Sequence, residues 1–227
     1  MSERLVFLPG LGADARLFEP QLAEFQAGEV ISWPDHNGCK SIGDLAERVL
    51  ETGVCNADTR LVGFSFGSMV ALEMACRAAD TNRPPEVVLI SGLRSRRALT
   101  LPFKLQAWAA QLAPRSILRK QLVGPVAESF KKRDGVSDTV VQTLSDMAAD
   151  CDLGFLKWAL RACARWTFDG RCPVPVRQLH GRSDTVIPLV EHPDLPGGRA
   201  ETIEGGHLLT LTSPDAVNRF IAAGGPG

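Results

Sequence analysis

Three side chains in this 227-residue chain are of the types needed to transfer an acyl group: Ser65, Asp184 and His207. A serine hydroxyl is a poor nucleophile until a base removes its proton. An imidazole can do so near neutral pH, and a carboxylate fixes the ring and stabilises the imidazolium that forms. Ser65 stands at the centre of Gly63-Phe64-Ser65-Phe66-Gly67, Asp184 ends His180-Gly181-Arg182-Ser183-Asp184, and His207 follows Gly205-Gly206. Singly, each has a plainer reading: a serine in a glycine-rich turn, an aspartate capping a loop, an ordinary loop histidine. Their joint occurrence at the ends of strand-like runs favours the chemical reading.

Those runs define the elements that must position the three. Leu61 to Phe64 is a short apolar run, and a helical pattern through Met69, Leu72, Glu73 and Cys76 follows at once. This predicts a strand, a sharp turn with Ser65 at its tip and a helix. In a turn this tight a side chain at 63 or 67 would collide with its neighbours, and the serine must take a strained backbone conformation. The turn also aims the Phe66 amide and the helix N-terminus at the place where an oxyanion would form.

The same grammar extends along the chain. Leu5 to Leu8 is a buried-strand run ended by Pro9-Gly10-Leu11-Gly12, Val30 to Trp33 a second strand, and Val87 to Ile90 a further one stopped by Ser91-Gly92. Ser41 to Asp44 reads as a capping box opening a helix through Leu50. Residues 93–171 carry only helical patterns, broken at Pro114, Gly124-Pro125, Gly135 and Gly154, with Ser137 as a cap. Strand pattern returns at Val174 to Leu179 and, more polar, at 199–204, before a closing helix near Pro214. Unbroken apolar strands alternating with helices predict an α/β fold with a mostly parallel sheet covered on both faces. The division expected is a core of 1–92 and 172–227 with a helical insertion of 93–171. In such a sheet the loops at the carboxyl ends of the strands gather at one edge, where sites form.

Composition narrows the function classes. Twenty-five basic residues nearly cancel 26 acidic ones, so the whole chain lacks a nucleic-acid signature. The balance is uneven: 93–171 holds 14 Lys or Arg against 7 Asp or Glu, the rest 11 against 19. Six cysteines show no C-x-x-C pair and no metal-type clustering with the four histidines. No run approaches 18 apolar residues and no signal-like segment opens the chain, so a cytoplasmic address with unpaired thiols and no membrane span is expected. No metal or organic cofactor is expected. His36 could edge a pocket, His180 would order the acid loop, and His192 falls in a Pro-rich loop expected at the surface.

On these motifs the sequence resembles the α/β-hydrolase superfamily over nearly its whole length. Gly63 to Gly67 looks like the nucleophile elbow, His180 to Asp184 with Pro188 is similar to the segment carrying the acid, and Gly205-Gly206-His207 resembles the histidine loop. Nucleophile, acid, histidine is the order this superfamily uses. The resemblance implies about six strands, two N-terminal ones of the full sheet being absent, and an inserted lid, which Gly92 and Gly170 bracket as candidate hinges. It implies oxyanion donors at the amides of Phe66 and Leu11, although Pro9-Gly10 stands where the family usually has His-Gly. Some members carry the acid after the strand that precedes the lid. Here that place reads Ser91-Gly92, which supports Asp184. Members with an aspartate nucleophile, such as haloalkane dehalogenases, are excluded by Ser65.

The activity so implied is that of a serine hydrolase, a carboxylesterase acting on small to medium acyl esters through an acyl-enzyme. Lid residues Trp108 and Trp158 are candidate substrate-binding side chains. The basic runs Arg94-Arg96-Arg97, Arg115-Arg119-Lys120 and Lys131 to Arg133 could instead face an acidic acyl carrier, as in carrier-protein methyl ester esterases, and a thioesterase stays open. A lyase resembling hydroxynitrile lyases and a non-catalytic receptor are the readings from other classes.

Overall fold

A computed structural model describes residues 4–55, 58–79 and 85–223. Among these residues six strands form one sheet in the order β2-β1-β3-β4-β5-β6, every adjacent pair parallel: β1 (Arg4–Leu8), β2 (Glu29–Val30), β3 (Thr59–Phe64), β4 (Glu86–Ile90), β5 (Val176–Gly181) and β6 (Glu201–Ile203). The apolar runs became strands because both faces of each are buried. In β1, Leu5 and Phe7 enter one core layer while Val6 and Leu8 enter the other. Each such large side chain taken fully from water contributes about 1.5–3 kcal/mol. The run Val30 to Trp33 yields only a two-residue strand. After Ile31 donates to the Phe7 carbonyl at 3.0 Å, Ser32 turns out to solvent and Trp33 packs on Phe66 and Phe155.

One face of the sheet is covered by α2 (Ile42–Glu51) and α3 (Phe66–Ala78). The capping box of α2 is present, Ser41 Oγ accepting from the Asp44 amide and Asp44 accepting from the Ser41 amide. The other face carries the single turn Ala15–Phe18, α1 (Glu19–Glu24), a short helix α9 (Leu209–Thr212) that its four-residue length hid from pattern reading, and α10 (Pro214–Ala222) with Pro214 at its first position.

Between β4 and β5 lies a helical insertion: α4 (Leu101–Leu112), α5 (Arg115–Gln121), α6 (Ala127–Asp134), α7 (Asp138–Asp150) and α8 (Leu153–Arg165). Pro114 separates α4 from α5, Gly135 ends α6 with φ 65°, and Ser137 caps α7. Gly124-Pro125 does not break the chain into loop. Pro125 has no N–H, and the ladder widens into a π turn over Leu122–Val126 that joins α5 to α6. Gly154 likewise lies inside the first turn of α8, which Asp152 caps.

Three residues depart from the surface roles expected of them. Arg94 is buried, donating to the carbonyls of Gly170, Pro196 and Gly197. Arg119 caps the end of α7 through the carbonyls of Ala148, Ala149 and Cys151, which leaves the expected basic face thinner. His192, expected in a surface loop, is also buried, because Gly198 and Leu195 fold that loop back on itself.

Candidate active site

Strand register brings the candidate residues to one edge. Leu8 pairs with Gly63, Phe64 with Ile90, and Gly181 with Ile203, so the loops that follow these strands start at the same level. Pro9 to Gly12 and Ser65 flank the point where strand order reverses, between β1 and β3, and Asp184 and His207 leave β5 and β6 on the same side.

The turn at Ser65 has the strain its sequence implied, with φ 52° and ψ −116°. A Cβ at Gly67 would lie 2.0 Å from the Leu8 carbonyl oxygen, and one at Gly63 would lie 2.6 Å from Ser68 Cα. Only glycine lets β1, β3 and α3 approach this closely. Ser68, which sequence reasoning passed over, braces the turn: its hydroxyl donates to the Ser65 carbonyl at 2.5 Å and accepts from the Leu93 amide at 2.9 Å. A small polar residue three positions after a helix-initiating serine was the available signal.

A hydrogen-bonded line joins the three candidates. His207 Nε2 lies 3.2 Å from Ser65 Oγ, and His207 Nδ1 lies 2.8 Å from Asp184 Oδ2. A carboxylate only accepts, so Nδ1 carries the hydrogen and Nε2 is left free to accept from the serine. Asp184 Oδ1 accepts from the amides of Val186 and Ile187 at 2.8 and 2.9 Å. Burial would push the Asp184 carboxyl up, but the hydrogen bond from His207, the imidazole charges and the Ile187 amide together hold it below the usual aspartate value. His180 lies fully buried beside it. Its Nε2 donates to the Ile187 carbonyl at 2.9 Å, and burial keeps the ring below the ordinary histidine value.

The helical insertion completes the surroundings of the imidazole. Phe130 of α6 stacks on the His207 ring at a centroid distance of 6.2 Å and an interplanar angle of 15°, and Phe64 packs on it at 5.0 Å. Asp134 accepts from the Leu208 amide at 3.0 Å. Neither Phe130 nor Asp134 carries a sequence signal, since nothing local marks a residue that acts across 70 positions.

Ser65, His207 and Leu11 open onto a cavity of about 230 Å³. Leu11 follows Gly10, where a Cβ would sit 3.3 Å from Ser65 Cβ, so the loop after β1 closes directly over the serine. The amide of Phe66, first residue of α3, has no intrahelical acceptor. The far wall comes from the insertion through Phe103, Leu122, Phe130, Leu144 and Met147. Among the described residues, no Asp, Glu, Lys or Arg lines the cavity.

The two tryptophans expected to bind substrate line no part of this cavity. Trp108 is 69% exposed on the outer face of α4, whose inner face turns Phe103 and Ala107 to the protein. Trp158 is half-buried against His36 and Phe155, its Nε1 donating to the Cys39 carbonyl at 2.8 Å, so it fastens α8 to the core. His36 belongs to that packing and does not reach the cavity.

Solved structures share this arrangement of chain. An esterase from Exiguobacterium antarcticum superposes with a TM-score of 0.76 at 17% identity, covering 97% of this chain and 90% of that one. An epoxide hydrolase from Bacillus megaterium gives 0.72 at 16% identity, with 97% and 92% covered. An enol-lactonase from Burkholderia xenovorans gives 0.69 at 18%, with 97% and 90% covered. At these identities the likeness is one of fold. The sequence itself matches the model of the alpha/beta hydrolase family over residues 5–220, and this chain therefore belongs to the α/β hydrolase family.

Proposed function

We propose that the protein is a serine hydrolase, a carboxylesterase that cleaves small to medium neutral acyl esters through an acyl-enzyme. The observation that carries this reading is the line from Ser65 Oγ through His207 to Asp184, at 3.2 and 2.8 Å. Ser65 attacks the ester carbonyl while His207 Nε2 takes its proton and then delivers it to the departing alcohol. Asp184 holds the ring and balances the imidazolium. The amides of Phe66 and Leu11 are the oxyanion donors. Water then repeats the cycle on the acyl-serine.

The cavity argues for the acyl class. At about 230 Å³ it is below the roughly 300–1,000 Å³ of drug-sized sites. Its walls, with no Asp, Glu, Lys or Arg among the described residues, would leave an acyl carboxylate unpaired, so a neutral chain is preferred. The helices of 93–171 act as the lid that supplies the far wall. Six free thiols suit a reducing compartment.

The test is hydrolysis of p-nitrophenyl esters from acetate to dodecanoate by wild type and Ser65→Ala, with fluorophosphonate labelling. Labelling at Ser65 and a loss in kcat on the order of a millionfold in the variant are expected. Well-folded wild type that turns over no ester and takes no label would exclude the reading and leave the lyase and receptor alternatives. Turnover of thioesters alone would make it a thioesterase.

A further inference from the structure

The outer face of α4 is exposed and apolar, and nothing among the described residues covers it. Among the described residues seven large hydrophobic side chains are exposed, and six of them, Leu101, Leu105, Trp108, Leu112, Ile117 and Val126, fall between positions 101 and 126. Four of the six form a stripe. With 3.6 residues per turn, Leu101, Leu105, Trp108 and Leu112 lie within roughly 60° of one another around the helix. They are between 62% and 71% exposed. The opposite side of α4 explains itself, since Ala107 is buried against α8 and Phe103 lines the cavity.

The surroundings of the stripe are cationic. No Asp or Glu occurs from residue 87 to residue 127. Within that stretch Arg96, Arg97, Lys104, Arg115 and Lys120 are exposed, and none forms an ion pair among the described residues. Arg96 and Arg97 precede the stripe, Lys104 borders it and Arg115 follows it. The neighbouring α8 adds Lys157, Arg161 and Arg165, its one carboxylate being the cap Asp152 at its start.

We infer that this face docks on an anionic phospholipid surface, with the Leu101 to Leu112 stripe at the headgroup boundary and the flanking cations against lipid phosphate. None of the described helices is long and apolar enough to cross a membrane, so the contact is a surface one. A second copy of the chain paired through the same face would bring two sets of unpaired cations together. An acidic protein would neutralise the cations but would have to match the stripe with an apolar strip of its own. A lipid leaflet presents charge outside and hydrocarbon beneath, the order in which the cations and the stripe are arranged. Docked this way, α4 has the lipid on its outer face and the cavity at Phe103 on its inner one, across a helix diameter of roughly 10–12 Å. The inference goes beyond the hydrolase reading and does not need it, because binding is read without turnover.

Flotation with vesicles of phosphatidylcholine mixed with phosphatidylglycerol, beside vesicles of phosphatidylcholine alone, tests it. Wild type should float with the anionic vesicles only, should release in high salt, and should show a blue shift of Trp108 emission that Trp108→Phe lacks. Leu105→Glu/Leu112→Glu alters only outward side chains. It should keep the thermal midpoint and the hydrolysis of a water-soluble ester while binding falls by roughly tenfold or more. Arg97→Glu/Lys104→Glu should lose binding to the same vesicles with the stripe intact. Absence of binding to anionic vesicles, binding unchanged in both double variants, or a dimer in sedimentation that Leu105→Glu/Leu112→Glu dissolves would each overturn it. So would binding of an acidic carrier protein without binding of vesicles. Loss of ester turnover with vesicle binding intact would count against the hydrolase reading alone.

Discussion

The carboxylate of Asp134, last residue of α6, accepts a hydrogen bond from the amide of Leu208, the residue after His207, at 3.0 Å. The approach is close: a Cβ at Gly206 would lie 2.4 Å from that carboxylate. Together with Phe130 stacked on the imidazole, it ties the helical insertion to the loop that presents His207 to Ser65. Asp134→Ala should therefore lower kcat by about 10- to 100-fold with a smaller change in KM, since displacement of the imidazole affects the chemical step more than binding. Steady-state kinetics on a soluble ester, with the thermal midpoint as control, checks this. An unchanged kcat would show that the histidine loop keeps its place unaided.

Asp184→Asn should lower kcat by about 10⁴-fold. The amide can donate to Nδ1, which moves the hydrogen to Nε2 and removes the acceptor that Ser65 needs. Measured beside Ser65→Ala, the two losses should not add, because the residues work as one unit.

Gly67→Ala tests the backbone of the turn. A methyl group 2.0 Å from the Leu8 carbonyl has no flexible side chain to push aside, so destabilisation of about 3 kcal/mol or more is expected from denaturant unfolding. Gly12→Ala meets nothing within 4 Å and carries only the strain of φ 71°, so about 1 kcal/mol is expected there.

His180 and His192 set a pH dependence of stability. Burial holds both imidazoles below the ordinary value, with Arg94 and Arg97 adding to the effect at His192. The unfolded chain therefore takes up protons that the folded chain declines. Stability from this source is complete above about pH 6.5 and is lost as pH falls from there toward the folded-state values. The thermal midpoint should drop between pH 7 and pH 5, and His180→Gln should flatten that slope. Asp184 acts in the same direction but only below the ordinary aspartate range, since its carboxyl is depressed.

Among the six free thiols, Cys172 should alkylate first. Its Sγ lies 3.7 Å from that of Cys76, whose thiol hydrogen bond favours the Cys172 thiolate and brings its pKa down to about 7. Burial raises the thiols of Cys39, Cys55, Cys151 and Cys163. Iodoacetamide near neutral pH followed by peptide mapping reads the order. Faster labelling at Cys163 would contradict it.

Much of this molecule was legible in the chain because the constraints are local. A tight strand-to-helix turn needs glycine at 63 and 67 whatever surrounds it, Ser41 and Asp44 satisfy each other's amides within one turn, and strands buried on two faces must be apolar throughout. Ser65, Asp184 and His207 could be picked out because each lies within four residues of a strand's carboxyl end and the strands of a parallel sheet end together. Packing between distant segments decided the rest. That Trp108 points outward and Trp158 fastens α8, that Arg94 and His192 are buried, and that Asp134 reaches Leu208 all depend on how the helical insertion settles on the sheet. The hydrophobic pattern of α4 is apolar on two sides, so the sequence determined that a helix forms there. Only the tertiary structure decided which side is buried, by placing α8 and the cavity against Ala107 and Phe103 and leaving the Leu101 to Leu112 stripe exposed.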